Sequence, residues 1–261
     1  MESTTKLKDI TVGQQNCKVF ARVIRLWDAI NTNPRYGNAL INIDGILLDE
    51  DGSMAQISVP KKFEKQFRGL LSQGFVYIIS NVAAIDIRRK SYVYRHQNYM
   101  LQFKQDTKVH PLHSRGVNIP TLPFDFCPFD QLPQKAIDSK PLLDVIGVIC
   151  DVGPYDYASQ TSQHKFRKIK IRNLEEQTQE LVLWGQHGES FDEEKVLKKS
   201  QEGIVTAIFA GVTTTLQRFT GMIQGSSSFV TQIYLDLDIP EVQKYRTRFS
   251  LSHSCAYRIY V

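Results

Sequence analysis

A chain of 261 residues is long enough for two ordinary domains, and 42% apolar with 23% charged residues are the proportions of a folded protein, which excludes a wholly disordered chain. The excess of 32 Lys and Arg over 27 Asp and Glu is mild, so charge points to a polyanionic partner only where it clusters. The four cysteines, Cys17, Cys127, Cys150 and Cys255, form no C-x-x-C pair, so neither a zinc ribbon nor a thioredoxin-type site is suggested.

A reduced, intracellular protein is the simpler expectation. Met1 to Thr11 lacks the charged-then-apolar plan of a signal peptide, and no apolar run is long enough to span a bilayer. From Asn16 the chain turns β-like. Val19 to Trp27 is rich in strand formers, Asn31 to Gly37 is a polar loop carrying Arg35, Asn38 to Leu48 is a second strand, and Met54 to Val59 alternates as a third. Between the last two, Asp49-Glu50-Asp51-Gly52 is a turn with a left-handed Gly. Phe63, Phe67, Leu70 and Leu71 recur at helical spacing and predict a short amphipathic helix over Lys61 to Leu71. Strands over Phe75 to Ser80 and Ser91 to Phe103 follow. Three strands, a helix and two more strands are the order of a five-stranded OB barrel.

Six of the ten prolines fall between His110 and Pro141, which marks residues 111–140 as an extended connector between a first domain, 1–110, and a second, 141–249. Leu122, Phe124, Phe126 and Phe129 are too apolar for a free linker, so part of it should dock on a barrel. After Pro141 the order repeats. The expected strands are Leu142 to Cys150, Phe166 to Asn173 and Gln179 to Gly185, then a helix over Phe191 to Lys199, then strands over Ile204 to Thr214 and Ser228 to Leu235. Residues 250–261 form a C-terminal tail. The predicted class is all-β with short helices: two tandem OB-fold five-stranded barrels joined by a Pro-rich connector.

Three stretches carry candidate chemistry. In the strand ending Leu183-Trp184-Gly185, period 2 puts Leu181 and Leu183 on one face and Trp184 on the other, so Trp184 points outward if the leucines fill the barrel. Phe219 sits beside Arg218 in a polar turn with little to bury a ring against. In the first half, Arg88-Arg89-Lys90-Ser91-Tyr92-Val93-Tyr94-Arg95-His96 interleaves two tyrosines with cations. Aromatics beside Lys and Arg are the components of a surface that stacks bases and neutralises phosphates. Each has a plainer reading: Trp beside Gly as ordinary packing, Phe219 folded over its own hairpin, the Tyr cluster as a solvated hairpin. The run Lys165 to Arg172, with Arg167 and Lys168, is a basic strand that also suits edge protection. No P-loop, G-x-S-x-G or H-E-x-x-H occurs, and His110 and His113 have no acidic neighbours, so no enzyme, metal site or cofactor is expected.

Leu143-Asp144-Val145-Ile146-Gly147-Val148, Leu183-Trp184-Gly185 and Asp238-Ile239-Pro240-Glu241, in that order and after the connector Ile119-Pro120-Thr121-Leu122-Pro123-Phe124-Asp125-Phe126, resemble the replication protein A large-subunit family. The resemblance covers that family's two central OB domains and nearly the whole chain. Ala21 to Trp27 and Tyr94-Arg95 look most like its plant members. It implies single-stranded DNA binding in replication, repair or recombination, in the nucleus, with replication or repair proteins as further partners and no membrane. By motif it implies base stacking by Trp184 and Phe219 and by Tyr92 or Tyr94, with Arg35, Arg88, Arg89, Lys90, Arg95, Lys165, Arg167, Lys168 and Arg218 as phosphate contacts. The family's other first-domain aromatic falls near Val59, which is aliphatic. The family's N-terminal recruiting domain and zinc-containing C-terminal domain have no room in 261 residues, so trimer assembly with small subunits is not expected. Single-stranded RNA as ligand, or an OB-fold adaptor with weak nucleic-acid affinity, stays open on the residues alone.

Overall fold

The computed structural model describes residues 3–31, 37, 39–87, 98–112, 118–121, 123–137, 141–217 and 221–250. The chain divides into two compact units, Met1–Pro123 and Phe124–Val261.

In the first unit, strands β1 (Cys17–Ile30), β2 (Leu40–Leu48) and β3 (Met54–Pro60) form an antiparallel meander. A 3₁₀ turn over Lys61–Phe63 leads into α1 (Glu64–Phe67), followed by β4 (Val76–Asp86), β5 (Tyr99–Gln102) and β6 (Lys108–Leu112). β3 pairs β5 in parallel, β5 pairs β4, and β4 returns to β1, so five strands close a ring with no free edge among them. Val19, Val23, Ile43, Ile57, Ile79 and Leu101 fill its interior. The helix is shorter than its apolar spacing predicts. Gly69 weakens the helix, and the chain turns at Phe67, whose carbonyl accepts from the amides of both Leu70 and Leu71. Phe67 still plugs the core, edge-on to Phe103 at 5.1 Å. β6 was not anticipated: it adds to β4 as an edge strand, where the missing amide of Pro111 costs no ladder bond.

The second unit opens with α2 (Leu132–Ile137) and continues with β7 (Leu143–Val152), β8 (Asp156–Tyr157), β9 (Lys165–Arg172) and β10 (Thr178–Trp184). Two helices follow, α3 (Gln186–Glu189) and α4 (Glu193–Ser200), then β11 (Thr206–Leu216), β12 (Ile223–Ser226), β13 (Gln232–Leu235) and α5 (Pro240–Ser250). The same ring closes through β7–β9, β9–β10, parallel β10–β12, β12–β11 and β11–β7. The predicted fifth strand, Ser228 to Leu235, contains β13, which lies on β11, whereas the barrel is closed by β12, which precedes it and was not expected as a strand. Asp192 caps α4 by accepting the amide of Lys195 at 2.9 Å, and Glu193 with Glu194 occupies the first turn, where the helix dipole favours carboxylates. Both expected OB folds are thus present.

The Pro-rich stretch is shared between the units. Ile119 is buried in the first, its carbonyl accepting Arg22 Nη2 at 3.0 Å, and Phe129 and Leu132 join the core of the second. Cys17, Cys127 and Cys150 form no disulfide among the described residues, and Cys255 lies outside them.

The hairpins β2–β3 and β9–β10 have the same pairing register. Leu48 faces Met54 and Arg172 faces Thr178 across loops of equal length. In both loops the first side chain caps the turn: Asp49 accepts the amide of Ser53 and Asn173 accepts that of Gln177, each at 2.8 Å. The fourth residue of each loop, Gly52 or Glu176, has positive φ. Position by position, therefore, Pro60 corresponds to Trp184, Asn42 to Phe166, Asp44 to Lys168, Ile46 to Lys170 and Gln56 to Glu180.

Candidate nucleic-acid interface

Leu181 and Leu183 are buried inside the second barrel, so the alternation of β10 turns Trp184 outward, where it is 39% exposed. The strand ends there because Gly185 takes φ +51°, a conformation L side chains rarely adopt, and turns the chain into α3. The indole is held at its edge: Nε1 donates to Ser226 Oγ at 2.9 Å, and the Trp184 amide donates to Ser227 Oγ at 2.9 Å. Phe166, its cross-strand partner, lies with ring centroids 5.4 Å apart at 59°.

Trp184 stands beside a groove of about 730 Å³ on the outer face of β9 and β10. Its floor includes Phe166, Lys168, Lys170 and Glu180; Pro154 and Tyr157 wall one side and Met222 and Ile223 the other. Lys168 and Lys170 are exposed, as their alternation with buried Ile169 and Ile171 requires. Lys168 Nζ lies 3.1 Å from Glu180 Oε1, whereas Lys170 makes no ion pair among the described residues. Lys165 sits over the rings of Tyr157, at 4.6 Å, and Tyr155, at 5.4 Å. These are cation–π contacts that fix an ammonium beside an exposed aromatic.

Arg167, expected as a phosphate contact, faces the opposite way. It is 8% exposed, Nε donates to the Gly188 carbonyl at 3.1 Å, Nη1 donates to the Gly153 carbonyl at 2.9 Å, and Nη1 pairs with the Glu193 carboxylate. Its parity on β9 is that of Ile169 and Ile171, so its charge is spent tying the loop after β7 and the start of α4 to the barrel. The basic run thus mixes structural cations with surface ones. Arg172 is likewise drawn away from the groove, its guanidinium 5.0 Å from the ring of Phe249 on α5.

In the first unit Val59 is 0% exposed, inside the barrel, so no aromatic at that position could stack on a ligand. The equivalent of Trp184 is Pro60. The rest of that floor differs too: where the second barrel has Phe166, Lys168 and Lys170, the first has Asn42, Asp44 and Ile46. Asp44 is largely removed from solvent, and this desolvation pushes its carboxyl up to about 6, against a hydrogen bond from Ser58 that favours the charged form.

Phe219 and Arg218, Tyr92 and Tyr94, and Arg35, Arg88, Arg89, Lys90 and Arg95 lie outside the described residues. Lys170, Phe166, Tyr155, Tyr157 and Glu180 were missed from the sequence. The alternation that exposes Lys168 also exposes Lys170 and was the available signal; Glu180 had none, because acids do not stand out in a search for a polyanion site. Among the described residues no cluster of His, Cys, Asp and Glu could hold a metal ion, and no helix is long and apolar enough to cross a membrane.

A family model described as a domain of unknown function, DUF223, matches residues 8–135. Along the chain, the mouse replication protein A 70 kDa DNA-binding subunit is 27% identical over 252 residues, covering 93% of this chain and 37% of that one. Replication factor A protein 1 of Schizosaccharomyces pombe is 29% identical over 201 residues, covering 76% and 30%. The replication protein A 70 kDa DNA-binding subunit of Danio rerio is 26% identical over 226 residues, covering 85% and 34%. The chain thus spans about a third of the length of these relatives. A solved replication protein A heterotrimer bound to single-stranded DNA superposes with a TM-score of 0.62 at 21% identity, covering 95% of this chain and 55% of that one. That likeness supports the tandem OB fold.

Proposed function

We propose, from the premise that this is a chain like the large subunit of replication protein A, that it binds single-stranded DNA in replication, repair or recombination, in the nucleus and without catalysis. The observation that carries the proposal is Trp184: an indole pinned at its edge by Ser226 and left exposed beside a groove with lysines on its floor. Stacking on such a ring serves any base, and Lys165, Lys168 and Lys170 supply the neutralising charge, so binding is tolerant of sequence and sensitive to salt. Phe219 and Arg218, close in sequence to Met222, are proposed to contribute further contacts. Tyr92, Tyr94 and the cations Arg35, Arg88, Arg89, Lys90 and Arg95 are proposed as contacts of the first domain.

Fluorescence anisotropy with a labelled dT oligonucleotide tests this. The chain should bind at low salt, and Trp184→Ala should weaken binding by about 1–3 kcal/mol with its circular dichroism unchanged. No binding at low salt would refute the proposal. Competition by an RNA oligonucleotide of the same length measures preference between the polymers, since stacking alone does not sense the 2′-hydroxyl.

A further inference from the structure

Glu180 is the acid on the β10 side of a groove that Lys168 and Lys170 also line, with Asp151 and Asp156 as its other carboxylates. It lies on β10, directly opposite Lys170 of β9 on one side and Gln224 of β12 on the other. Its Oε1 accepts from Gln224 Nε2 at 2.7 Å, Lys168 Nζ lies 3.1 Å from Oε1 and donates to Oε2 at 3.3 Å, and the Glu180 side chain is 36% exposed on the groove. Three adjacent strands therefore present a row of ammonium, carboxylate and amide.

The carboxylate is braced but not saturated, since its two oxygens offer about four acceptor positions. A phosphate placed over it would be repelled. A base edge carrying N–H donors would be bound. The corresponding positions of the first barrel hold Ile46, Gln56 and Met100, which do not reproduce the row.

Resting on the single-strand reading of this same groove, we infer that Glu180, held by Gln224 and Lys168, reads base edges and favours bases with an exocyclic amino group, cytosine foremost, over thymine. The N4 amino group of cytosine donates to a carboxylate, whereas thymine presents the acceptor O4 at the same place. The preference is a modulation of a stacking site, imposed by one residue.

The test is a set of anisotropy titrations of the full chain with dC and dT oligonucleotides of about 12 nucleotides, at mildly alkaline pH so that cytosine stays unprotonated. Wild type is compared with Glu180→Gln, an isosteric change whose amide both donates and accepts. Wild type should bind dC at least about fivefold tighter than dT. Glu180→Gln should bind dT more tightly than wild type does and bring the two ligands within about twofold of each other. A wild-type ratio near one overturns the inference. So does an equal gain for both oligonucleotides in Glu180→Gln, the result expected if the acid merely keeps Lys168 from phosphate. Failure of wild type to bind either ligand at low salt would instead sink the binding proposal itself.

Discussion

Two charged side chains show what a position on a barrel strand does to an ionisable group. Arg167 points inward and is paired with Glu193, so Arg167→Ala should lower stability by about 2–3 kcal/mol, the range for leaving a partly buried carboxylate and two carbonyls without their donor. Urea denaturation measures this. Oligonucleotide affinity of the folded variant should change little; a large loss of affinity with normal stability would restore Arg167 to the phosphate contacts. Asp44 is the reverse case, an acid on the outer face whose Oδ1 makes no hydrogen bond among the described residues. With its folded-state value raised to about 6 from 3.8, ionisation opposes folding. Below about pH 4 the group is protonated in both states and imposes no penalty. Between about pH 4 and 6 the unfolded chain loses its proton first, and stability falls; above that the penalty is constant at up to about 2–3 kcal/mol. Asp44→Asn should therefore stabilise the protein at pH 7 and flatten the fall between those pH values, as urea midpoints across the range would show.

At the scale of elements, strands that alternate were legible and those defined by partners were not. Ile43, Ile57, Ile169, Ile171, Leu181 and Leu183 reveal period 2, and every one is buried. β12 escaped notice because Ile223 to Ser226 is short and contains Gly225; its pairing with β10 on one side and β11 on the other makes it a strand. The exposure of Trp184 followed from alternation, but the offset between Val59 and Pro60 needed the register of the hairpins, which no residue pattern displays. α5 was equally hidden. The Asp238-Ile239-Pro240-Glu241 stretch marked its start, yet its role depends on a second layer: Val242, Tyr245 and Phe249 cover Ile146, Val148, Ile208 and Ala210 on the outside of β7 and β11. Tyr245 donates to the Ile146 carbonyl at 3.1 Å, and burial pushes its phenol up to about 12. Phe249→Ala should cost about 3–5 kcal/mol, the usual loss for a buried ring. A loss of unfolding free energy below about 1 kcal/mol would mean that the helix is only loosely attached.

For the whole molecule, duplication of the fold was readable because both halves repeat one order of strands and helix, while divergence of the two floors was not, since it depends on which residues face outward. The consequence is electrostatic. Lys168 and Lys170 face the groove of the second barrel, whereas the same positions in the first hold Asp44 and Ile46. Counterion release from the strand faces should thus come from the second barrel. Each phosphate neutralised contributes a slope of about −0.7 to the dependence of log affinity on log salt for a single strand. Changing Lys168 and Lys170 together to Gln should reduce the magnitude of that slope by about 1.4 while leaving the Trp184 contribution in place. Changing Asp44 to Lys should raise it by at most about 0.7, provided the strand reaches that floor at all. Affinities measured over a salt series with a dT oligonucleotide decide between these strand-face lysines and the other cations of the chain. If the double lysine variant keeps the wild-type slope, the phosphates are neutralised by cations elsewhere, and the run Arg88 to Arg95 and Arg218 become the residues to change next.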